Sequence, residues 1–117
     1  MKKVVSNIGG AIISLTIIGL IFNFTIGNYL RREIQLGKTV RSQKGKTVKD
    51  AKLAVGEPYR IMDMKQYKDR QPGMARSFEP DPNLIECDLV YEYHEVATMG
   101  LLYVRKGIVI DTYVGGT

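Results

Sequence analysis

The longest apolar run of the chain lies near its N-terminus. No charged residue occurs between Val4 and Leu30, and the most apolar part covers residues 8–27. At about 1.5 Å of rise per residue, a helix of this length spans the roughly 30 Å hydrocarbon core of a bilayer. The pattern therefore predicts a single transmembrane helix over residues 1–30.

A cleaved signal peptide is the alternative interpretation, because Lys2 and Lys3 precede the apolar run. Two features favour a retained helix instead. The run is longer than the roughly 7–15 residues of a usual signal-peptide core, and no Ala-x-Ala cleavage site follows it. Thr25 and Gly27 match such a site poorly. We therefore expect the helix to remain in the mature protein.

Small residues recur at four-residue spacing along this predicted helix. Such spacing lets two helix backbones approach closely, and a membrane-buried asparagine can form a hydrogen bond across the contact. Small residues are also common in membrane helices that serve only as anchors, so both interpretations stand. The candidate helix-packing residues are Ser6, Gly10, Ser14, Gly19, Asn23 and Gly27.

Positive charge is concentrated directly after the apolar run. Between Arg31 and Lys52 there are eight basic and two acidic residues, whereas from Leu53 onward there are seven basic and ten acidic residues. We expect residues 31–46 to form a basic juxtamembrane linker, helical for at most a turn or two past Arg32. This distribution favours anionic lipid headgroups over nucleic acid as a partner. The candidate headgroup contacts are Arg31, Arg32, Lys38 and Arg41.

The same charges predict an orientation. Lysine and arginine resist translocation, and seven of them lie within about twenty residues after the run, against Lys2 and Lys3 before it. We therefore expect a single-pass protein of the inner (plasma) membrane with its soluble domain on the cytoplasmic side. A conventional signal anchor would orient the other way.

A short helix opens the soluble domain, which we assign to residues 47–117. Thr47 is suited to the N-cap, and Asp50 follows three residues later at the capping-box position. Gly56 is placed to end the helix and Pro58 prevents it from resuming. A helix of about two turns is not stable alone and must pack on other structure.

Alternating apolar residues predict a three-stranded antiparallel sheet after this helix. Between Ile85 and Glu95 the odd-numbered positions up to Tyr93 are apolar and the even-numbered positions are mostly polar. This alternation is typical of a strand with one buried and one solvated face. Two further strands cover residues 101–105 and 108–114, joined at a tight turn. Residues 59–64 could add a short strand. The predicted fold class is α+β.

Residues 65–83 are rich in turn-forming residues, including two proline-containing clusters. A loop of this length is uncommon in so small a domain and is either functional or an ordinary excursion of the chain. If the domain has a binding surface in this loop, Met74 and Phe78 are the candidate contacts.

Candidate chemistry is sparse. His94 and Cys87 are the only histidine and the only cysteine, which excludes a two-histidine or cysteine-rich metal site within one chain. Glu92 shares a predicted strand face with His94, but Asp88 lies about 13 Å further along the strand. We therefore expect Glu92 to lie on an exposed acidic face of the strand. Cys87 occupies one of the apolar alternate positions, where we expect a buried and unreactive thiol. No catalytic, metal or cofactor-binding residue is predicted.

Three segments of the domain form a recognisable pattern: GKTVKDAKLAVGEPYRI, VYEYHEV and LLYVRKGIVIDTYVGG. Its distinctive positions are Gly45, Thr47, Gly56, Glu57, Pro58, Tyr91, Tyr93 and Gly107. Over residues 45–117 this pattern resembles the SmpA/OmlA family, which includes the small lipoprotein of the outer-membrane β-barrel assembly machinery. The resemblance implies helices packed on a three-stranded antiparallel sheet and a non-catalytic role in a membrane assembly. No cysteine for lipid attachment follows the apolar run.

These features favour a non-catalytic accessory or assembly subunit of a membrane protein complex, whose transmembrane helix contacts other membrane subunits. The alternative is a free-standing membrane-tethered binding or regulatory module. An enzyme is the third possibility, and the chain offers only Glu92, His94 and Cys87 to support it.

Overall fold

The computed structural model describes residues 2–70 and 79–116, with side chains from residue 13 onward. The chain divides into two compact units, Met1–Arg31 and Arg32–Thr117. The described elements are α1 (Lys2–Arg41), α2 (Val48–Val55), β1 (Arg60–Asp63), α3 (Met64–Asp69), β2 (Leu89–His94), β3 (Thr98–Arg105) and β4 (Ile108–Gly116).

The first unit consists of the apolar part of α1. Its side chains from Ile13 to Ile26 are exposed. A segment of α1, Ile13–Arg41, is long and apolar enough to cross a membrane, although a signal sequence passes the same test. The prediction of a long apolar N-terminal helix is confirmed, and its insertion into a membrane stays a prediction.

Helix α1 extends further than predicted. It continues through Gly37, where we expected an irregular linker, and ends at Arg41. Leu36 and Val40, four residues apart, share one face of the helix and pack in the apolar core of the second unit. Burial of this face offsets the low helix propensity of Gly37. The basic residues of the segment obscured this apolar pair in the sequence.

The capping residues of α2 are confirmed. Thr47 is the N-cap and its hydroxyl accepts a hydrogen bond from the Asp50 amide, whereas Gly56 ends the helix with a positive φ of 101°. The left-handed half of backbone space is open to glycine without steric cost. Ala51 is completely buried, so α2 is stabilised by packing on the sheet, as its short length requires.

The sheet has four antiparallel strands in the order β1-β2-β3-β4, which corrects the prediction of three. The additional strand is β1, which pairs with β2 from Arg60 opposite Glu92 to Asp63 opposite Leu89. It lies within residues 59–64, which the sequence offered as a possible short strand, and that prediction is confirmed. Strand β3 also begins earlier than predicted, at Thr98.

The first part of the predicted loop 65–83 is helical, which corrects that prediction. Asp63 accepts a hydrogen bond from the Gln66 amide, and the Gln66 side chain accepts one from the Asp63 amide. This reciprocal capping box starts α3. Met74 and Phe78 lie outside the described residues.

Both faces of the sheet carry an apolar cluster. On one face Val90, Leu101 and Tyr103 pack with Tyr67 of α3. On the other face Leu102 and Val104 pack with residues of α1 and α2. Strand β2 is therefore covered on both sides, and the predicted solvated face is wrong. Helix α3 covers the face that the sequence assigned to water.

Candidate functional sites

The apolar part of α1 is the first candidate site. A Cβ atom added at Gly19 or Gly27 would meet nothing within 4 Å, and the Asn23 side chain is exposed. Both glycines therefore leave room for another helix to approach closely. Ser14 lies among the exposed residues of the same segment. The surroundings of Ser6 and Gly10 lie outside the part of the chain whose side chains are described.

The predicted headgroup contacts are all exposed: Arg31, Arg32, Lys38 and Arg41. At 100° per residue, Lys38 and Arg41 lie on the side of the helix away from Leu36 and Val40. The same helix segment therefore buries one face in the domain and presents positive charge on the other.

A buried charge cluster on the α3 side of the sheet is the second candidate site. Glu92 of β2 has a side chain only 3% exposed, and it accepts hydrogen bonds from Arg60 Nε and from Arg70 Nη1, the latter at 3.5 Å. His94 Nε2 lies 3.2 Å from the same carboxylate. Arg70 Nη2 also donates to Glu79, which is likewise 3% exposed. The ion pairs therefore form a continuous chain from Arg60 to Glu79.

Two tyrosines extend this cluster. The Tyr67 and Tyr103 hydroxyls are 2.8 Å apart, and Tyr67 donates to Glu79 Oε2 at 3.0 Å. The guanidinium of Arg70 lies 4.8 Å from the centre of the Tyr67 ring, within cation–π range. Burial raises the pKa of Tyr67 to about 12 and that of Tyr103 further. Both hydroxyls therefore stay protonated at neutral pH.

The arrangement of this cluster suits a structural role. Each buried carboxylate forms an ion pair with Arg70, so the two ion pairs join β2 to the end of α3 and to Glu79. Sequence reasoning placed Glu92 on an exposed acidic face, and that prediction is wrong. Its partners arrive from β1 and α3, which are distant in sequence, so no local spacing revealed them.

Cys87 is buried, as predicted, but it lies in the apolar cluster on the α3 side and not with Leu89 and Tyr93, because it precedes the first residue of β2. Its Sγ is 3.1 Å from the Met64 sulfur. Burial, aided by the nearby Asp88 carboxylate, raises the pKa of the thiol. A raised pKa leaves less thiolate, the form that reacts with electrophiles and metals. Among the described residues, no group of three or more histidine, cysteine, aspartate or glutamate side chains could hold a metal ion.

A cavity of about 230 Å³ is the third candidate site, and sequence reasoning missed it. It lies in the second unit, against the last turns of α1 and the end of α2. The lining residues are Arg32, Gln35, Leu36, Thr39, Ala54, Val55 and Glu95. The four α1 residues recur at i, i+3, i+4 and i+7, so they share one helix face. The remaining lining residues come from α2 and from Glu95, which only the tertiary fold brings next to α1.

Comparison of the chain with protein-family models, with curated proteins and with solved structures found no match. The resemblance to the SmpA/OmlA family therefore stays a prediction.

Proposed function

We propose that this protein is a membrane-anchored, non-catalytic accessory or assembly subunit of a membrane protein complex. The observation that carries the proposal is the continuity of α1. Its N-terminal part exposes a long apolar surface, and its last turns belong to the core of the folded domain. One helix thus serves as both membrane segment and structural element of the domain.

Exposure of the apolar segment supports anchoring. Leu15, Phe22 and Phe24 are each more than 60% exposed within the described structure. Leaving such side chains in water forgoes about 25 cal/mol for each Å² of apolar surface that could be buried. A continuous surface of this kind is typical of a segment covered by lipid or by another protein.

The small residues support lateral contact with other membrane subunits. Gly19, Asn23 and Gly27 lie within about 80° of one another around the helix, and both glycines face open space. Thr25 lies on the opposite side, where its hydroxyl donates to the Ile21 carbonyl at 2.9 Å. The helix therefore offers one face suited to close packing and a distinct face for comparison.

Extraction of the protein from its native membrane in mild detergent tests the proposal. We expect membrane proteins to accompany it in fixed stoichiometry. Gly19→Leu combined with Gly27→Leu should release them, because the larger side chains separate the helices. Thr25→Leu adds an apolar side chain on the other face and should leave the complex intact. A monomer without companions would contradict the subunit role.

Orientation is part of the same proposal, with the domain in the cytoplasm and the anchor in the inner (plasma) membrane. Lys106 lies in the exposed turn between β3 and β4, whereas Cys87 is buried. Lys106→Cys should react with a membrane-impermeant maleimide only after spheroplasts are lysed. Labelling of intact spheroplasts would place the domain on the outer side, and the wild-type chain controls for reaction at Cys87.

The α1/α2 cavity favours a second candidate function, a free-standing membrane-tethered binding module. The two functions differ in what they require of the apolar segment. If residues 1–27 are replaced by an unrelated membrane helix, a tethered module keeps its activity. A subunit that docks through α1 loses its companions.

A further inference from the structure

The α1/α2 cavity contains one positive and one negative side chain. Arg32 and Glu95 line it, together with the polar side chains of Gln35 and Thr39 and an apolar wall. Neither charge forms an ion pair within the part of the chain that the structure describes, so they do not neutralise each other. Separated opposite charges in one cavity suit a ligand that is itself a zwitterion.

The uncharged lining adds hydrogen-bonding capacity. Gln35 Nε2 donates to Thr39 Oγ1 at 3.2 Å. This bond leaves the Gln35 carbonyl as an acceptor and the Thr39 hydroxyl as a donor. At about 230 Å³ the cavity is smaller than the roughly 300–1,000 Å³ of pockets that enclose drug-sized ligands. It therefore fits a small polar group.

We propose that this cavity binds the phosphoethanolamine headgroup of a phospholipid. Arg32 binds the phosphodiester and Glu95 binds the primary ammonium, while Gln35 and Thr39 complete the hydrogen bonds. The inference rests on the proposed membrane anchoring, because Arg32 follows the apolar run by two residues and so belongs near the headgroups.

The charge pattern also predicts selectivity among lipids. A choline headgroup carries a cation without N–H groups and cannot donate a hydrogen bond to Glu95. An anionic glycerol headgroup has no cation and leaves Glu95 unpaired. Hydrogen bonds to charged groups are the strong ones in proteins, so losing one lowers affinity by about tenfold or more.

Native mass spectrometry of the full-length protein in detergent micelles tests this selectivity. The probes are phosphatidylethanolamine, phosphatidylcholine and phosphatidylglycerol at equal concentration. We expect phosphatidylethanolamine to bind about tenfold more tightly than the other two. Arg32→Gln should weaken its binding about tenfold, and Glu95→Gln should abolish the preference over phosphatidylcholine.

Matched controls separate a site from general charge attraction. Lys46→Gln removes an exposed positive charge that lies outside both the cavity and the predicted headgroup contacts, and Glu86→Gln removes a carboxylate that is 82% exposed. Both should leave the preference unchanged. Equal losses in Lys46→Gln and Arg32→Gln, or no preference in the wild-type chain, would overturn the headgroup site.

Glycerophosphoethanolamine carries the same phosphoethanolamine group without acyl chains, and it tests whether the ligand is a lipid or a soluble molecule. If this soluble headgroup binds with the same dependence on Arg32 and Glu95 but the lipid does not, the lipid assignment is overturned. Membrane fractionation reports separately on anchoring. A chain that is anchored and has companions but shows no lipid preference would contradict the headgroup site and leave the proposed function standing.

Discussion

At the scale of single residues, the buried Glu92 carboxylate is expected to contribute strongly to the stability of the domain. It is buried against Arg60 and Arg70 and lies close to His94. Removing one partner of a buried ion pair leaves the other charge uncompensated, which costs about 3–5 kcal/mol. An exposed pair contributes about 0–1 kcal/mol, because water screens both charges.

Glu92→Gln is therefore expected to lower the free energy of unfolding by about 3 kcal/mol. Glu86→Gln is the matched control, because Glu86 pairs with Arg105 at 3.3 Å while exposed to solvent. It should change stability by less than about 1 kcal/mol. Denaturant unfolding of the full-length chain in detergent, followed by the near-ultraviolet circular dichroism of its tyrosines, measures both. Equal effects would show that the cluster is not a buried network.

The raised pKa of Tyr67 predicts that the stability of the folded domain depends on pH. Burial raises its pKa from the ordinary value of about 10 to about 12 in the folded protein. The folded state thus holds the proton more tightly than the unfolded state. This contribution to stability is complete below pH 10 and is lost as the pH rises from 10 to about 12.

Tyr67→Phe should accordingly reduce the slope of stability against pH between 10 and 12. The variant also loses hydrogen bonds to Tyr103 and Glu79, so its stability at neutral pH falls as well. The slope, measured from denaturation curves at several pH values, is the informative quantity. An unchanged slope would contradict a raised pKa at this hydroxyl.

At the scale of elements, close packing of α1 on β3 depends on Gly100. A Cβ atom at this position would lie 2.7 Å from Val40 Cγ2. Val40 is completely buried, so it has little room to move away. The absence of a side chain on the strand is therefore what allows the helix to approach the sheet.

Gly100→Ala should destabilise the domain by about 1–3 kcal/mol through overpacking. Combining it with Val40→Ala removes the two nearest γ-carbons, so the double variant should lose less than the sum of the single losses. Gly19→Ala is the control, since a Cβ there meets nothing within 4 Å. Strict additivity of the two core changes, measured by denaturation, would argue against direct contact.

At the scale of the whole molecule, the two units differ in how much of their apolar surface is buried. The second unit buries its apolar residues on both faces of a four-stranded sheet. In the first unit, the apolar side chains from Ile13 to Ile26 are exposed. We expect lipid or neighbouring helices to complete the burial of the first unit.

Ile18→Arg tests this expectation, because Ile18 lies in the apolar run and is 62% exposed. Arginine near the centre of a membrane helix costs about 2.5–3.5 kcal/mol of insertion free energy. The variant should shift from the membrane fraction toward soluble or aggregated protein. Ile34→Arg, at a position 57% exposed beyond the run, should partition like the wild-type chain. Equal partitioning of both variants would contradict insertion of the apolar segment.

Local patterns in the sequence predicted much of the framework. Thr47 and Gly56 delimited α2 because capping is decided by neighbouring residues. The turn at Lys106-Gly107 joined the last two strands for the same reason. The capping box at Asp63 and Gln66 was equally local and would have identified α3 within the predicted loop.

The amino-acid sequence by itself determined the apolar N-terminal helix, the α+β class and the caps and turns, since these depend on residues a few positions apart. The tertiary structure decided that Glu92 is buried, that Leu36 and Val40 belong to a core, and that Arg32 and Glu95 share a cavity. The reason is physical. Each of these environments is created by partners more than ten residues away, which only the folded chain brings together.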